Sequence, residues 1–371
     1  MIVLPDSPYL QYSGRIDFED PKAPEFVYPC SYVRLCFTGN FINIIVENHA
    51  AYWSNYLGFI LDGRQGKIRL PKEGKVTLQI ASDLDNGMNE PAGQELEMKK
   101  HEMLKHEMLK HEMLLFKRMD SCHTFRFYGF EVEDGAVLLE APPEPDRRIE
   151  VYGDSVSAGE VSEAVDYVGQ ADPEHDGEFS NSYYSYAWMT ARKLDARLHD
   201  IAQGGIPLLR HTGWFAAPEY IGMEDIYDKI QYNPELGAAK PWDFTKYRPH
   251  VVIVAIGQND SNPEDYMAED YEGAKAAHWR AQYKAFIKKL RGIYPQAVII
   301  LATTILEHHA NWDKAIDQVS HELDDSKIHH FLYSNNGRGT PGHIRIPEAE
   351  KMSDELAAFI RSLGEEIWQD E

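Results

Sequence analysis

The segment from His250 to Ile256 constrains the fold more than any other part of the chain. Its sequence, His-Val-Val-Ile-Val-Ala-Ile, is almost continuously apolar and rich in β-branched residues. A strand with one face in water would alternate apolar and polar residues, so this run predicts a strand covered on both faces. Such strands are typical of parallel sheets with helices packed on either side. The segment therefore indicates an α/β domain.

The rest of the C-terminal half repeats this pattern of short apolar strand and helix. The predicted strands are residues 149–152, 198–202, 250–256, 297–302 and 328–333, and the predicted helices include residues 182–197, 265–291 and 347–368. Pro347 suits the first turn of the last helix. The alternation predicts a doubly wound α/β domain over residues 148–371, with a mostly parallel, five-stranded sheet between two layers of helices.

The N-terminal half has a different pattern, with short runs in which apolar and polar residues alternate. A period of two is typical of antiparallel strands that turn one face toward a core. Asp62-Gly63 after one of these runs is a hairpin signal. The predicted strands are residues 31–37, 41–47, 55–61, 75–80 and 124–132. They predict an all-β sandwich over residues 1–145, followed by a proline-rich linker at residues 139–147.

Residues 101–114 interrupt that pattern with a repeat of His-Glu-Met-Leu-Lys, abbreviated HEMLK. Its histidines suggest a metal site, but the spacing argues against one. Five helical residues advance by about 500°, and an odd spacing in a strand alternates faces, so His101, His106 and His111 point in different directions. The repeat is interpreted as a local duplication that lengthens a loop or helix on the sandwich, with a composition that favours a helix. We expect it to protrude and to contact another subunit of a homo-oligomer.

The charge balance restricts the classes of partner. The 371 residues carry a formal net charge of −23, which argues against nucleic acid and anionic membranes. No apolar run approaches the ~20 residues of a membrane span, and no signal peptide is visible at the N-terminus. Cys30, Cys36 and Cys122 are an odd number without the spacing of a metal site. From these features we expect a cytoplasmic protein with reduced thiols.

Polar residues suited to catalysis follow several predicted strands of the C-terminal half. Gly153-Asp154-Ser155 follows the first strand, Gln203-Gly204-Gly205 the second, Gly257-Gln258-Asn259-Asp260 the third, and a loop that ends in Gly342-His343 the last. The carboxyl ends of parallel strands meet at one edge of a sheet, which is where ligands bind in such folds. We therefore expect these residues to lie close together.

These residue types fit acyl transfer. Ser155 would be the nucleophile, and His343 would accept its proton and later protonate the leaving alcohol. The backbone N–H groups of Ser155 and Gly204 and the side-chain amide of Asn259 would stabilise the oxyanion of the tetrahedral intermediate. Each motif alone has a plainer explanation, as a helix cap at Asp154 or Ser155, a turn at Gly204-Gly205 and an Asx turn at Asn259-Asp260. Their convergence favours the catalytic interpretation.

The four loops resemble the motifs of the SGNH/GDSL hydrolase superfamily, and the whole chain resembles the family 2 carbohydrate esterases. The resemblance implies an N-terminal jelly-roll sandwich joined to an SGNH domain, removal of acetyl groups from xylan and related glycans, and no metal or other cofactor. The matching residues are Gly153-Asp154-Ser155, Gly204, Gly257-Gln258-Asn259-Asp260 and His343, supported by residues 115–118, 128–131, 147–150 and 242–247.

Two positions depart from the superfamily pattern. The Asp that often stands three residues before the catalytic His is Thr340 in this chain, and the Pro that usually follows that His is Ile344. The family that the chain resembles works with a Ser-His dyad, in which a backbone carbonyl orients the imidazole. The resemblance therefore implies that Ser155 and His343 form a dyad.

Some assignments have alternatives. His308 and His309 after the fourth strand are rival bases, and Gly205 is a rival to Gly204 as oxyanion donor. Asp154 and three tryptophans are candidates for contact with a sugar. Aromatic rings can stack on sugar faces, but core packing is the favoured role for each tryptophan. These tryptophans are Trp53, Trp214 and Trp242.

The resemblance implies an esterase that removes acetyl groups from acetylated xylan or xylo-oligosaccharides. A small acyl group needs little space, so specificity would lie on the sugar side. Two other functions stay open. One is a GDSL esterase or lipase that acts on longer acyl chains or on esters without a sugar, and the other is a glycan-binding protein whose esterase site has decayed.

Overall fold

The computed structural model describes residues 1–82, 84, 110–215, 221–233 and 236–370. Strands β1 to β12 lie in the N-terminal half and span Ile2–Val3, Gln11–Ser13, Ile16–Asp17, Glu25–Phe26, Tyr32–Thr38, Ile42–Ala50, Tyr56–Leu61, Arg64–Arg69, Lys75–Ala81, Lys110–Lys117, His123–Val132 and Leu138–Leu139. Residues 140–146, which overlap the predicted linker, form neither helix nor strand.

The N-terminal strands form two antiparallel sheets around one core. The first has the order β3-β4-β11-β6-β9 with β1 beside β11, and the second has the order β12-β5-β10-β7-β8 with β2 beside β5. Apolar residues from both sheets, such as Phe37 in β5 and Phe127 in β11, belong to the same buried cluster. The predicted β-sandwich is therefore confirmed.

The HEMLK repeat is described only from Lys110 onward, so its first copy, all of its second copy except Lys110, and the predicted protrusion lie outside the described residues. The predicted helix is wrong for the third copy, which belongs to strand β10. Met113 and Leu115 alternate toward the sandwich core, a period of two that a strand accommodates. The Nδ1 atom of His111 lies 2.7 Å from the Asp62 Oδ2 atom in the β7–β8 turn.

The C-terminal half contains a parallel five-stranded sheet, as predicted. Its strands are β13 (Arg147–Gly153), β14 (Ala196–Ala202), β17 (Val251–Ala255), β18 (Val298–Ala302) and β19 (Ile328–Phe331), in the order β14-β13-β17-β18-β19. A small antiparallel pair, β15 (Lys229–Gln231) and β16 (Lys240–Pro241), lies outside this sheet. Helices α1 to α7 of the described residues are Ser155–Ala158, Tyr186–Lys193, Met223–Ile226, Tyr266–Glu269, Ala274–Ile293, Asn311–Leu323 and Ile346–Ser362.

Apolar clusters cover both faces of the sheet, as the continuous apolar run at 250–256 predicts. Val252 and Val254 belong to one buried cluster and Val251 and Ile253 to the other. The predicted helix at 265–291 is broken between α4 and α5, where Gly273 ends a turn and precedes the longer helix. In the described residues, no helix is both long and apolar enough to cross a membrane.

The register of the sheet brings its strand ends into line. Gly153 pairs with Ala202 on one side and with Ala255 on the other, Ala255 pairs with Ala302, and Ala302 pairs with Phe331. The residues that follow these five positions therefore leave the sheet side by side at one edge. This alignment is the structural basis for a shared site.

The two halves are joined by a buried ion pair behind that edge. The Arg15 Nη2 atom of the sandwich donates to Glu150 Oε1 in β13 at 2.9 Å, and both side chains are fully buried. The same guanidinium donates to the Tyr152 hydroxyl at 3.0 Å. Removing one partner of such a pair is strongly destabilising, because the other charge is left unpaired. The pair therefore fixes the sandwich against the strand that leads to Ser155.

Candidate active site

Ser155 is the first residue of α1, and only Asp154 separates it from the end of strand β13. Asp154 caps this short helix, and its Oδ1 atom accepts a hydrogen bond from the Val156 N–H at 3.0 Å. Gly153 must lack a side chain, because a Cβ atom there would lie 2.1 Å from the Ser157 Oγ atom. Ser155 is only 5% exposed, but it lines the adjoining cavity.

Asp154 has a different role from the predicted contact with substrate. Its carboxylate is buried and does not line the cavity; its Oδ2 atom accepts hydrogen bonds from the Gln258 side-chain amide at 2.8 Å and the Asn259 amide at 3.1 Å. Burial raises the pKa of Asp154, although these hydrogen bonds and the cap oppose that effect. The prediction that Asp154 contacts the sugar is corrected: Asp154 links the Ser155 turn to the loop after β17 by hydrogen bonds.

One cavity of about 640 Å³ brings most of the predicted site residues together. It lies at the carboxyl edge of the sheet and is lined by both halves of the chain. Of the sequence-predicted residues, the cavity contains Ser155, His343, Gly204, Asn259, Trp53 and Trp214.

The His343 imidazole is oriented by a carboxylate, which corrects the expectation of a dyad. Its Nδ1 atom lies 2.6 Å from the Asp172 Oδ2 atom, and its backbone N–H donates to Asp172 Oδ1 at 2.9 Å. The buried Arg345 guanidinium donates to the same Oδ1 at 2.8 Å. With Asp172 accepting at Nδ1, the unprotonated Nε2 atom of a neutral imidazole is available as a base.

The charges around His343 favour its protonated form. Burial lowers the pKa of His343, but the Glu160 carboxylate and the hydrogen bond to Asp172 outweigh burial and raise it to about 9. Burial would raise the pKa of Asp172, but its hydrogen bonds to His343 and the His343 charge hold it well below the ordinary value. Asp172 is therefore ionised at neutral pH.

His343 and Ser155 line the same cavity without a direct hydrogen bond among the contacts of the described residues. Instead, the His343 Nε2 atom lies 4.0 Å from the Glu160 Oε2 atom. Catalytic hydrogen bonds are often long before substrate binds and tighten in the complex, so this geometry is compatible with proton transfer.

The rival histidines do not line the cavity. His308 has a nearly buried side chain, with Nδ1 2.7 Å from the Leu306 carbonyl and Nε2 3.2 Å from Asp313 Oδ2. His309 lies on the surface, where its Nδ1 accepts the Asn311 N–H at 3.2 Å. Both histidines therefore have local partners that explain their positions.

Two of the predicted oxyanion donors are already engaged. The Gly204 N–H donates to the Asp120 Oδ2 atom at 3.0 Å, and the Asn259 amide donates to Asp154 Oδ2 and to the Ile206 carbonyl, each at 3.1 Å. In the described part of the chain, the backbone N–H groups of Ser155 and Gly205 donate to no acceptor. The unengaged donors are therefore Ser155 and the alternative glycine, Gly205.

Asp120 of the sandwich holds the glycine loop of the other half. Its Oδ2 atom accepts hydrogen bonds from the Tyr52 hydroxyl at 2.7 Å, from the Gln203 amide at 2.6 Å and from the Gly204 N–H. Burial would raise the pKa of Asp120, but the neighbouring His123 outweighs it and holds the pKa well below the ordinary value. The sandwich thus supplies an ionised carboxylate that shapes the catalytic edge.

The three candidate tryptophans have different environments. Trp53 and Trp214 line the cavity and are 46% and 69% exposed, so both rings are accessible. Trp242 does not line the cavity; it is buried against Ile230 and Tyr247, and the Arg15 guanidinium lies 5.2 Å from its ring centre. Trp242 is therefore a core residue.

Sequence reasoning missed Asp172 and Glu160. Asp172 lies in the irregular segment between residues 168 and 181, and 171 positions separate it from His343. That segment is rich in Asp, Glu and Gly and has no periodic pattern that would single out one carboxylate. Glu160 directly follows the Ser155 turn, and that proximity was the one available signal.

The fold and the site together define an SGNH-type hydrolase domain preceded by an antiparallel β-sandwich. The parallel sheet presents Gly-Asp-Ser, a glycine loop, an asparagine and a histidine at one edge. The family model described as "Carbohydrate esterase 2 N-terminal" matches residues 12–90. Over these residues the chain is similar to the family 2 carbohydrate esterases.

Similar proteins cover almost the whole chain. Cellulase/esterase CelE from Acetivibrio thermocellus is 27% identical over 368 residues, which are 96% of this chain and 40% of CelE. The acetylxylan esterase / glucomannan deacetylase of Cellvibrio japonicus is 24% identical, over 96% of this chain and 89% of that protein. A family two carbohydrate esterase from Clostridium thermocellum, solved in complex with cellohexaose, has a TM-score of 0.74 at 25% identity, over 97% of this chain and 100% of that chain.

Proposed function

We propose that the protein is a serine esterase that removes O-acetyl groups from acetylated xylan or xylo-oligosaccharides. The observation that supports this most is one cavity that contains a serine, a histidine held by a carboxylate, and two accessible tryptophans. The names of the two relatives, an acetylxylan esterase and a cellulase/esterase, agree with this class of reaction. The chain spans only 40% of CelE, so whole-protein properties of that relative do not transfer.

The first half-reaction transfers the acetyl group to the enzyme. The Ser155 Oγ atom attacks the acetyl carbonyl carbon while its proton passes to the His343 Nε2 atom. The N–H groups of Ser155 and Gly205 are the unengaged donors for the resulting oxyanion. When the intermediate collapses, the imidazolium gives its proton to the departing sugar oxygen, and acetyl-Ser155 remains.

The second half-reaction regenerates the serine. Water gives a proton to neutral His343 and attacks the acetyl-enzyme carbonyl carbon. Collapse of this second tetrahedral intermediate breaks the bond to Ser155 Oγ, which recovers its proton from the imidazolium, and releases acetate. Asp172 stabilises the imidazolium in both half-reactions, because its ionised carboxylate lies at Nδ1.

The alternative of a glycan-binding protein with a decayed site loses one of its two supports. That alternative rested on the sandwich domain and on the absence of an Asp at position 340. Thr340 is buried, and its carbonyl accepts a hydrogen bond from the Glu307 N–H. Asp172 supplies the carboxylate from elsewhere in the chain.

The direct test is acetate release from acetylated xylo-oligosaccharides. We expect release of acetate from this substrate, and with simple esters a sharp loss of rate from 4-nitrophenyl acetate to 4-nitrophenyl butyrate. Comparable rates on long-chain esters would favour the GDSL esterase or lipase alternative. Absence of acetate release from any acetyl ester by the folded protein would refute the esterase function.

The exposed Trp214 ring provides a test of sugar recognition. Trp214→Ala is expected to raise KM for acetylated xylo-oligosaccharides about tenfold, because roughly 1–2 kcal/mol of apolar contact with the sugar is lost. The kcat/KM for 4-nitrophenyl acetate should change little, because that substrate has no sugar. Trp214→Phe keeps a ring and should recover part of the affinity. An equal loss on both substrates would show that Trp214 supports the catalytic loops instead.

A further inference from the structure

Glu160 is a largely buried carboxylate in the active-site cavity that the steps above do not use. Gly159 ends the α1 turn in the left-handed conformation, with φ of 74°, and reverses the chain at that point. The Glu160 N–H then donates to the Ser155 carbonyl at 2.9 Å. Its side chain is 14% exposed and lines the cavity. Glu160 is therefore positioned by the same turn that positions the nucleophile.

The Glu160 carboxylate faces the nitrogen of His343 that acts on Ser155. Its Oε2 atom lies 4.0 Å from the His343 Nε2 atom, while Asp172 occupies Nδ1. Within the described part of the chain, the Glu160 side chain makes no hydrogen bond and no second ion pair. His343 therefore lies between two carboxylates, one at each ring nitrogen.

The surroundings of Glu160 explain why it faces His343. Its Oε2 atom would lie 2.7 Å from a Cβ atom placed on Gly204, so the absence of a side chain there makes room for the carboxylate. Burial raises the pKa of Glu160 to about 7; the His343 charge opposes this effect, and neighbouring acids add to it. The titratable groups that face Glu160 are Tyr52 and Asp120 of the sandwich, Asp154 of the α1 turn, Asp172, which is paired with Arg345, and His343.

We infer that Glu160 is a second positioning carboxylate of the general base, and that it sets the pH at which His343 becomes available to Ser155; this inference rests on the proposed esterase function. An ionised carboxylate near Nε2 favours the imidazolium, so it retains the proton that His343 must lose before it can act as a base. The same negative charge stabilises the imidazolium formed when Ser155 is deprotonated. Glu160 therefore makes His343 a stronger base, and it moves the rise of activity with pH to higher pH.

The ionisation of the pair gives the direction of the pH dependence. The Glu160 pKa is about 7 and the His343 pKa about 9, so between these values an ionised carboxylate faces a protonated imidazole. Neutral His343 becomes abundant only as the pH rises through the upper value. Without the Glu160 charge, His343 should lose its proton at lower pH.

The test is the pH profile of Glu160→Gln with 4-nitrophenyl acetate. The rising limb of kcat/KM is expected to move by about 1–2 units to lower pH, the size of shift that a nearby opposite charge produces. The plateau should fall several-fold, because the imidazolium loses a stabilising charge. The two profiles should therefore cross, with the variant faster than the wild type at low pH and slower at high pH. A purely structural role would lower the whole profile without moving its limb.

Two further variants distinguish an electrostatic role of Glu160 from a structural one. Glu174→Gln removes the same charge from an exposed position on the chain segment that contains Asp172, and its limb should stay in place. Glu160→Asp retains the charge on a shorter side chain and should give a limb between those of the wild type and Glu160→Gln; it also serves as the test if Glu160→Gln does not fold. An unchanged limb in both folded Glu160 variants would overturn the inference.

An NMR titration of the His343 imidazole distinguishes this inference from the proposed function. Its resonance can be assigned by its loss in His343→Gln. A lower His343 pKa in Glu160→Gln would support the role of Glu160 whether or not acetyl esters are substrates, whereas an unchanged pKa would refute it. If wild-type protein hydrolyses no acetyl ester, the esterase proposal fails by itself.

Discussion

Replacing Ser155 by alanine is expected to lower kcat for acetyl ester hydrolysis by at least about 10³-fold, because no acyl-enzyme can form without the hydroxyl. The substitution removes a single oxygen from a turn that is held by other groups. Asp154 still caps α1, and the Gly153 and Gly159 conformations do not depend on the hydroxyl. The fold should therefore be retained, and affinity for acetylated oligosaccharides should persist. Steady-state kinetics, circular dichroism and calorimetric binding measure the three quantities.

Ser157 provides a matched control for this experiment. It lies on the same turn, but its Oγ atom is buried 2.9 Å from the Tyr186 hydroxyl and does not line the cavity. Ser157→Ala should keep kcat within a few-fold while losing about 1–3 kcal/mol of stability, because a buried hydroxyl partner is removed. Hydrolysis at the wild-type rate by folded Ser155→Ala would show that another group is the nucleophile.

The architecture could be predicted because its signals are local. Runs such as 250–256 and 297–302 are short, apolar and β-branched, and each forms a buried strand of the parallel sheet. Parallel pairing then places all strand ends at one edge, and the register from Ala202 to Phe331 bears this out. This geometric rule allowed Ser155, Gly204, Asn259 and His343 to be placed at one cavity without knowledge of side-chain contacts.

The details that the sequence did not predict depend on tertiary contacts. The hydrogen bonds from the Gln258 and Asn259 side chains to Asp154 depend on where the loop after β17 comes to lie. Trp242 and Trp214 are the same residue type, yet packing buries Trp242 and leaves Trp214 exposed. The third HEMLK copy has helix-forming composition, but pairing with β5 and β7 makes it a strand.

The contribution of the sandwich to the catalytic edge was also not predictable. No catalytic motif marks the N-terminal half, yet Tyr52 and Trp53 line the cavity and Asp120 binds the Gly204 N–H. This contact has a chemical consequence, since it engages a donor that the motif assigned to the oxyanion. Competition between an oxyanion and a fixed carboxylate is a property of the assembled structure. A sequence motif gives only the residue type at that position.

The Asp172→Asn substitution is expected to lower kcat by roughly 10²–10⁴-fold, with a much smaller change in KM. An asparagine amide at this position can donate to Nδ1, which places the ring proton on Nε2 and leaves no lone pair there to accept the Ser155 proton. The substitution also removes the charge that stabilises the imidazolium, so the His343 pKa should fall. The residual activity should therefore appear at lower pH than in the wild type.

Steady-state kinetics with 4-nitrophenyl acetate between pH 5 and pH 10 measures this effect, and Asp176→Asn is the matched control. Asp176 lies on the same segment, but its carboxylate accepts hydrogen bonds from Ser54 of the sandwich and does not contact His343. Its replacement should lower kcat only a few-fold. If folded Asp172→Asn kept the wild-type kcat, the hydrogen bond at 2.6 Å would be dispensable, and a backbone carbonyl would have to orient the ring, as in the dyad that the family resemblance implies. A loss confined to Asp172→Asn would instead establish a triad in the chain order Ser155, Asp172, His343, because the Asp172 carboxylate is the group that binds Nδ1.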